Sequence, residues 1–186
     1  MMDIIKALAI LAFLTCAAAC WNRQQKTEAE PAEEVQDMSQ YMPDIEVGSP
    51  APAIELNTPD GTPVALSDFA GKWTVLDFWA SWCPDCRAEF PAVKEFYETY
   101  APKGVEILGI SFDTDAEAWK KCLDEQGFAW PQGSNLIKWK EGNPVSEAYG
   151  VHWIPTMILV APDGTVAGAA LTAEDMTALL DTKLEQ

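Results

Sequence analysis

Apolar and polar positions divide the chain into a short apolar head, a polar stretch, and a long segment where strand-like and helix-like patterns alternate. Within the long segment, Trp73 to Trp79 is a nearly continuous apolar run, interrupted only by Thr74 and Asp77. A run of this kind suits a strand buried on both faces. A tight loop follows it. Pro84 and the run Ala88 to Tyr100 predict a helix opening at that loop. Upstream, Ile54–Leu56 and Val64–Leu66 flank Pro59-Asp60-Gly61, which predicts a hairpin. Downstream, Gly104 precedes a strand at Val105–Ser111, and Asp113 or Thr114 is the expected cap of a helix over Ala116–Gln126, ended by Gly127. Thr156–Val160 and Thr165–Gly168 flank Pro162-Asp163-Gly164 as a second hairpin, and Thr172 caps a last helix reaching about Leu184. This order predicts an α/β fold. Its central sheet is mixed, with helices on both faces and a β-hairpin extension at the N-terminal side.

Residues 1–19 read as a signal peptide. Ile4 to Ala19 is apolar apart from Lys6 and Thr15, and about 13 residues separate Lys6 from Cys20, short for a membrane span. Ala17-Ala18-Ala19-Cys20 resembles a lipoprotein signal, which makes Cys20 the expected lipidation site, although Ala17 stands where a large aliphatic residue is usual. An ordinary cleaved signal is the alternative. Cys16, inside the apolar run, has no expected role after processing. Residues 20–43 carry Glu28, Glu30, Glu33, Glu34 and Asp37 among Ala, Gln and Pro, without apolar periodicity. Such a stretch buries too little surface to offset its ordering entropy and is expected to be a disordered acidic tether. Residues 44–186 are expected to form one domain.

Charge narrows the function classes. The formal net charge is −17 without any basic run, which argues against nucleic acid and against anionic lipid surfaces. Contact with a membrane is expected only through a lipid on Cys20. A hydrophobic content of 48% and eight tryptophans leave room for a real core.

The candidate chemistry is Cys83-Pro84-Asp85-Cys86, placed where the loop becomes the helix. A thiol at a helix N-terminus faces unpaired backbone N–H groups and the positive end of the macrodipole. Both favour the thiolate, the nucleophile of disulfide chemistry. Cys86 lies about one turn on, so the two sulfurs share a face and can close a small ring. Cys83 is placed to attack, and Cys86 to resolve the mixed disulfide. A Cys-x-x-Cys is also half of a zinc site or a structural disulfide, and a metal-carrying or redox-inert binding module is the non-enzymatic alternative.

The motifs that accompany the cysteines carry a family resemblance. They are Leu66-Ser67-Asp68-Phe69-Ala70-Gly71-Lys72, the run Phe78-Trp79-Ala80-Ser81-Trp82-Cys83, Gly150-Val151-His152-Trp153-Ile154-Pro155-Thr156, and the Asp163-Gly164 hairpin. Together they resemble bacterial thioredoxin-fold thiol–disulfide oxidoreductases of the TlpA/ResA type, over essentially all of residues 44–186. The resemblance implies a thioredoxin fold, a redox-active Cys83–Cys86 disulfide, and no cofactor. Asp77, six residues before Cys83, resembles the buried Asp of thioredoxin itself, which implies a role in moving protons to and from Cys86; an Asp satisfied by hydrogen bonds at a sheet edge is the alternative. A carboxyl in mid-strand is expected to have a raised pKa. Pro155 resembles the family's cis-proline, leaving the backbone of Ile154 free to pair with an extended substrate. Trp82, Pro84, Ile154 and Thr156 are the expected substrate-binding residues, with Trp153 near Trp82, while Trp79 is expected to be core. Expected partners are disulfide-containing exported proteins and a membrane thiol electron donor, in the periplasm or cell envelope. Cytochrome c maturation or general disulfide reduction is the implied process.

Several positions depart from that pattern or from its neighbours. Peroxiredoxins place Pro seven and Thr or Ser three residues before the reactive Cys; here those positions are Leu76 and Ala80, which disfavours peroxidase chemistry. A Cys/Cys/His copper site with His152 is conceivable, but copper chaperones on this fold space their cysteines one residue further apart. Asp85 is expected to oppose the Cys83 thiolate and tilt the couple toward a reductant. Residues 128–150 form an insert, where partner choice tends to reside. Cys122 is expected to be a buried packing thiol.

Overall fold

The computed structural model describes residues 37–140 and 142–185. The expected signal peptide, Cys20 and most of the tether lie outside the described residues. The described compact unit starts at Met38.

The first hairpin pairs β1 (Glu55–Asn57) with β2 (Pro63–Ala65) in a small antiparallel sheet. The main sheet contains β3 (Thr74–Trp79), β4 (Glu106–Ser111), β5 (Gln132–Gly133), β6 (Thr156–Val160) and β7 (Val166–Ala170), in the order β5-β4-β3-β6-β7. β4 runs parallel to β3 and β5 parallel to β4, while β6 is antiparallel to β3 and β7 to β6. The helices are α1 (Pro84–Tyr100), α2 (Ala116–Gln126), the short α3 (Pro144–Ala148) and α4 (Ala173–Leu184). This is the mixed sheet and thioredoxin-type arrangement the sequence predicts, with the hairpin as its extension.

Strand alternation sorts the core into two layers. Leu76 and Phe78 of β3 join Leu108, Ile110 and Ile158 in a cluster shared with the hairpin residues Leu56 and Val64, with Trp119 of α2 and with Tyr149. Val75 packs with Ile107, Met157 and Leu159 against Val93 and Phe96 of α1 and Met176 and Leu180 of α4. Asp77 follows Val75 on that second face, between α1 and α4. Because β3 lies third of five strands, Asp77 stands at the centre of the sheet and not at an edge.

Three expectations change. The cap of α2 is Asp115, whose carboxylate accepts from Glu117 N and Ala118 N; Asp113 is buried and engaged elsewhere. Residues 38–43 do not behave as a tether. Met38–Tyr41 form a 3-10 turn, the Tyr41 ring packs tilted against Trp153 with centres 4.3 Å apart, and Asp44 N–H donates to Gly150 O at 3.1 Å. Gly150 permits this approach: it has φ +60°, and a Cβ there would meet the backbone of Asp44 at 2.7 Å. The insert holds two elements the sequence pattern does not show, β5 and α3. Among the described residues, no helix is long and apolar enough to cross a membrane.

Candidate active site

The site sits where β3 ends and α1 begins. β3 is buried along its whole length, so its C-terminal end is fixed by the core. Ala80, Ser81 and Trp82 carry the chain out to Cys83, the N-cap of α1, with Pro84 in the first helical position. Pro84 has no N–H to satisfy there, and its fixed φ suits the helix start.

Cys83 and Cys86 are joined as a disulfide with Cα atoms 5.3 Å apart. The Cys86 N–H donates to Cys83 Sγ at 3.1 Å. An orphan amide of the first turn therefore points at the sulfur, the arrangement that lowers the free energy of a thiolate. Cys83 is 4% exposed and Cys86 1%. Only a narrow edge of Cys83 meets solvent, flanked by the exposed Trp82 and Pro84. An incoming sulfur therefore reaches Cys83 before Cys86.

The Ile154–Pro155 peptide is cis. Cys83 Sγ lies 3.7 Å from Ile154 O, so this loop packs directly beside the disulfide. Thr156 opens β6, fully buried, and its hydroxyl donates to Trp153 O at 2.7 Å, which fixes the loop from behind. The Ile154 side chain is itself core, leaving backbone as what the loop offers to a ligand.

Asp77 is buried, and its carboxyl accepts no hydrogen bond from the described residues. Burial pushes its pKa up to about 7, with the Glu89 carboxylate adding to the shift. Glu89, one turn beyond Cys86 on α1, is held by the Ala173 N–H at the start of α4, 3.0 Å from its Oε2. Sequence reading missed Glu89; its spacing of three from Cys86, on the same helix face, is the signal that points to it.

Asp113 was also missed in this role. Ser81 donates to it twice, from N at 2.9 Å and from Oγ at 2.6 Å, and Ser111 Oγ donates at 2.8 Å. A buried carboxylate with three donors ties the loop before Cys83 to the end of β4.

Trp82 is 54% exposed, and its ring meets Trp139 of the insert at 6.2 Å, while Trp153 faces Tyr41. Trp79 is core, edge-on to Phe90 and Phe128, with Nε1 donating to Gln132. Both ring nitrogens of His152 face carbonyls, Gly150 O at 2.9 Å and Gln40 O at 3.2 Å. No group of His, Cys, Asp or Glu among the described residues is arranged to hold a metal ion. Cys122 is free and buried, and burial pushes its thiol up, as suits a packing residue.

Residues 47–169 match the model of the AhpC/TSA family. ResA, a thiol–disulfide oxidoreductase of Bacillus thuringiensis subsp. konkukian, is 33% identical over 122 residues, 66% of this chain and 68% of that protein. ResA of Geobacillus thermodenitrificans is 32% identical over 141 residues, 74% of this chain and 78% of its own length. Among solved structures, the thioredoxin domain of a Bacteroides vulgatus thiol–disulfide oxidoreductase superposes with a TM-score of 0.67 at 33% identity, covering 74% of this chain and 97% of that one. A cysteine pair at a helix tip, a cis-proline loop beside it and these relatives agree. The chain belongs to the AhpC/TSA family, as a ResA-like thioredoxin-fold thiol–disulfide oxidoreductase.

Proposed function

We propose that this oxidoreductase works in the cell envelope, reducing disulfides of exported proteins with electrons from a membrane thiol donor. Exported proteins keep their disulfides unless something reduces them, so a reductant has work to do there. Export and lipid anchoring at Cys20 rest on the sequence of residues 1–20, and a role in cytochrome c maturation rests on the family resemblance.

The amide of Cys86 aimed at Cys83 Sγ carries the assignment of roles. Reduced Cys83, as thiolate, attacks one sulfur of the substrate disulfide and displaces the other as a thiolate. A mixed disulfide links Cys83 to the substrate. Cys86 then loses its proton and attacks Cys83 Sγ, releasing the second substrate sulfur and leaving the Cys83–Cys86 disulfide. Two electrons pass from the dithiol to the substrate. Asp77 takes the Cys86 proton in this direction and returns it when the donor reduces the enzyme. A group with a pKa of about 7 can hold or release a proton near neutral pH. Trp82 and Pro84 border the approach, and the backbone of Ile154, positioned by Pro155 and Thr156, pairs with the extended substrate segment.

The deciding experiment is insulin reduction by dithiothreitol with and without the protein, together with thiol titration. Catalytic acceleration is expected. No acceleration, with stoichiometric copper or zinc retained, would favour a binding module instead.

A further inference from the structure

The insert contributes a second indole to the rim of the site. Trp139 reaches Trp82 at 6.2 Å and lies nearly parallel to the buried Phe112 at 6.2 Å, which in turn stacks on Phe78 of β3. The two tryptophans form one aromatic shelf, anchored through Phe112 to the central sheet and starting at the residue next to Cys83. Lys140 Nζ lies over the Trp139 ring, 4.4 Å from its centre.

The insert is built to hold this position. Ser134 Oγ donates to Ser111 O at 2.8 Å and accepts from Leu136 N at 3.0 Å, and Asn143 Nδ2 donates to Ile137 O at 3.1 Å. Leu136 and Lys140 adopt left-handed backbone, φ 54° and 73°. For residues with side chains this conformation carries a cost, and it persists where the surroundings impose it.

We propose that Trp82, Trp139 and Lys140 form a docking shelf for the polypeptide beside the substrate's cysteine. The segment it fits is extended, with a large apolar side chain within four residues of that cysteine and an acidic group beyond. This rests on the thiol–disulfide reading above and names its substrate class. Three observations carry it. The shelf is continuous with the reacting sulfur. Its length, about 6 Å, spans roughly two residues of extended chain. Lys140 is a cation beside the Trp139 ring, so a carboxylate on a segment seated there meets an opposite charge.

The test uses peptides with one cysteine held in a mixed disulfide with thionitrobenzoate, and the pre-reduced full-length protein in single turnover. Peptides carry Trp, Leu or Ser at the third position after the cysteine, followed by Glu or Lys. The wild-type protein is expected to reduce the Trp and Leu peptides about tenfold faster than the Ser peptide, an effect of the size of one aromatic contact. Trp139→Ala should bring that ratio below about twofold, and Trp139→Phe should restore most of it. Lys140→Gln should abolish a preference for Glu over Lys while leaving the apolar preference. Equal rates on all peptides with the wild-type protein would overturn the proposal. So would a Trp139→Ala variant that slows every peptide by the same factor, the mark of a structural defect. Failure to react with the free dithiobis(nitrobenzoate) disulfide would instead remove the oxidoreductase reading beneath it.

Discussion

Replacing Cys83 by Ser is expected to abolish insulin reduction, while Cys86→Ser leaves one round of attack and traps substrate on Cys83. The asymmetry follows from the site. Cys83 carries the edge that solvent reaches and the amide that supports its thiolate, whereas Cys86 is 1% exposed and faces its neighbour. With Cys83 gone, no substrate sulfur reaches the remaining thiol, and turnover should fall to the background rate. With Cys86 gone, the first exchange proceeds and nothing resolves its product. Non-reducing electrophoresis and mass spectrometry of extracts containing Cys86→Ser protein should show covalent adducts at Cys83 that dithiothreitol removes. Adducts on Cys83→Ser protein, or none on Cys86→Ser, would reverse the assigned roles.

The second large effect belongs to Asp77. Asp77→Asn keeps the shape and removes the titration, so the fold should persist while exchange near pH 7 slows about 100-fold, the lower range of general acid–base catalysis. The reading is the rate at which dithiothreitol reduces the Cys83–Cys86 disulfide, corrected for the thiolate fraction of the reagent. In the wild-type protein this corrected rate should fall as pH rises past about 7, where Asp77 loses the proton it gives to the departing sulfur. The variant should show no such inflection. Stability provides an independent check with a definite sign. The folded pKa is raised above the carboxylate's ordinary 3.8, so the folded state holds the proton more tightly than the unfolded state does. Asp77 therefore reduces stability progressively as pH rises from about 4 to about 7, and the penalty stays constant above that. A shift of this size corresponds to roughly 4 kcal/mol. Urea unfolding of the oxidised protein should show Asp77→Asn gaining on wild type across that window by an amount of that order. A constant difference from pH 4 to 9 would show that folding leaves the Asp77 pKa where it is in the unfolded chain.

What the sequence reveals, and what it hides, divides along local and distant causes. β3, the turn to Cys83 and the start of α1 were legible because each depends on neighbours in sequence: an apolar run, a proline suited to the first helical position, and two cysteines one turn apart. The raised pKa of Asp77 followed from its place in that apolar run. The role of Asp113 was hidden. Ser111-Phe112-Asp113-Thr114-Asp115 offers several cap-like residues, and the choice of Asp115 depends on where β4 ends and on Ser81 arriving from another strand. Residues 38–43 read as tether because they are polar, yet Tyr41 and Gln40 meet Trp153 and His152 more than a hundred residues away. β5 has two residues, too few for any period, and forms because β4 offers it an edge. The contact of Trp82 with Trp139 was hidden for the same reason: it is made through the insert, a path that no local pattern describes.

Catalysis rests on Cys83 being the sulfur that the helix tip makes reactive. Alkylation of the fully reduced protein with iodoacetamide, across pH 5 to 9, tests this directly when the label on each cysteine is quantified by peptide mass spectrometry. Cys83 should be labelled first, while Cys86 and Cys122 lag far behind. Labelling of Cys86 ahead of Cys83, or of Cys83, Cys86 and Cys122 at equal rates, would contradict it.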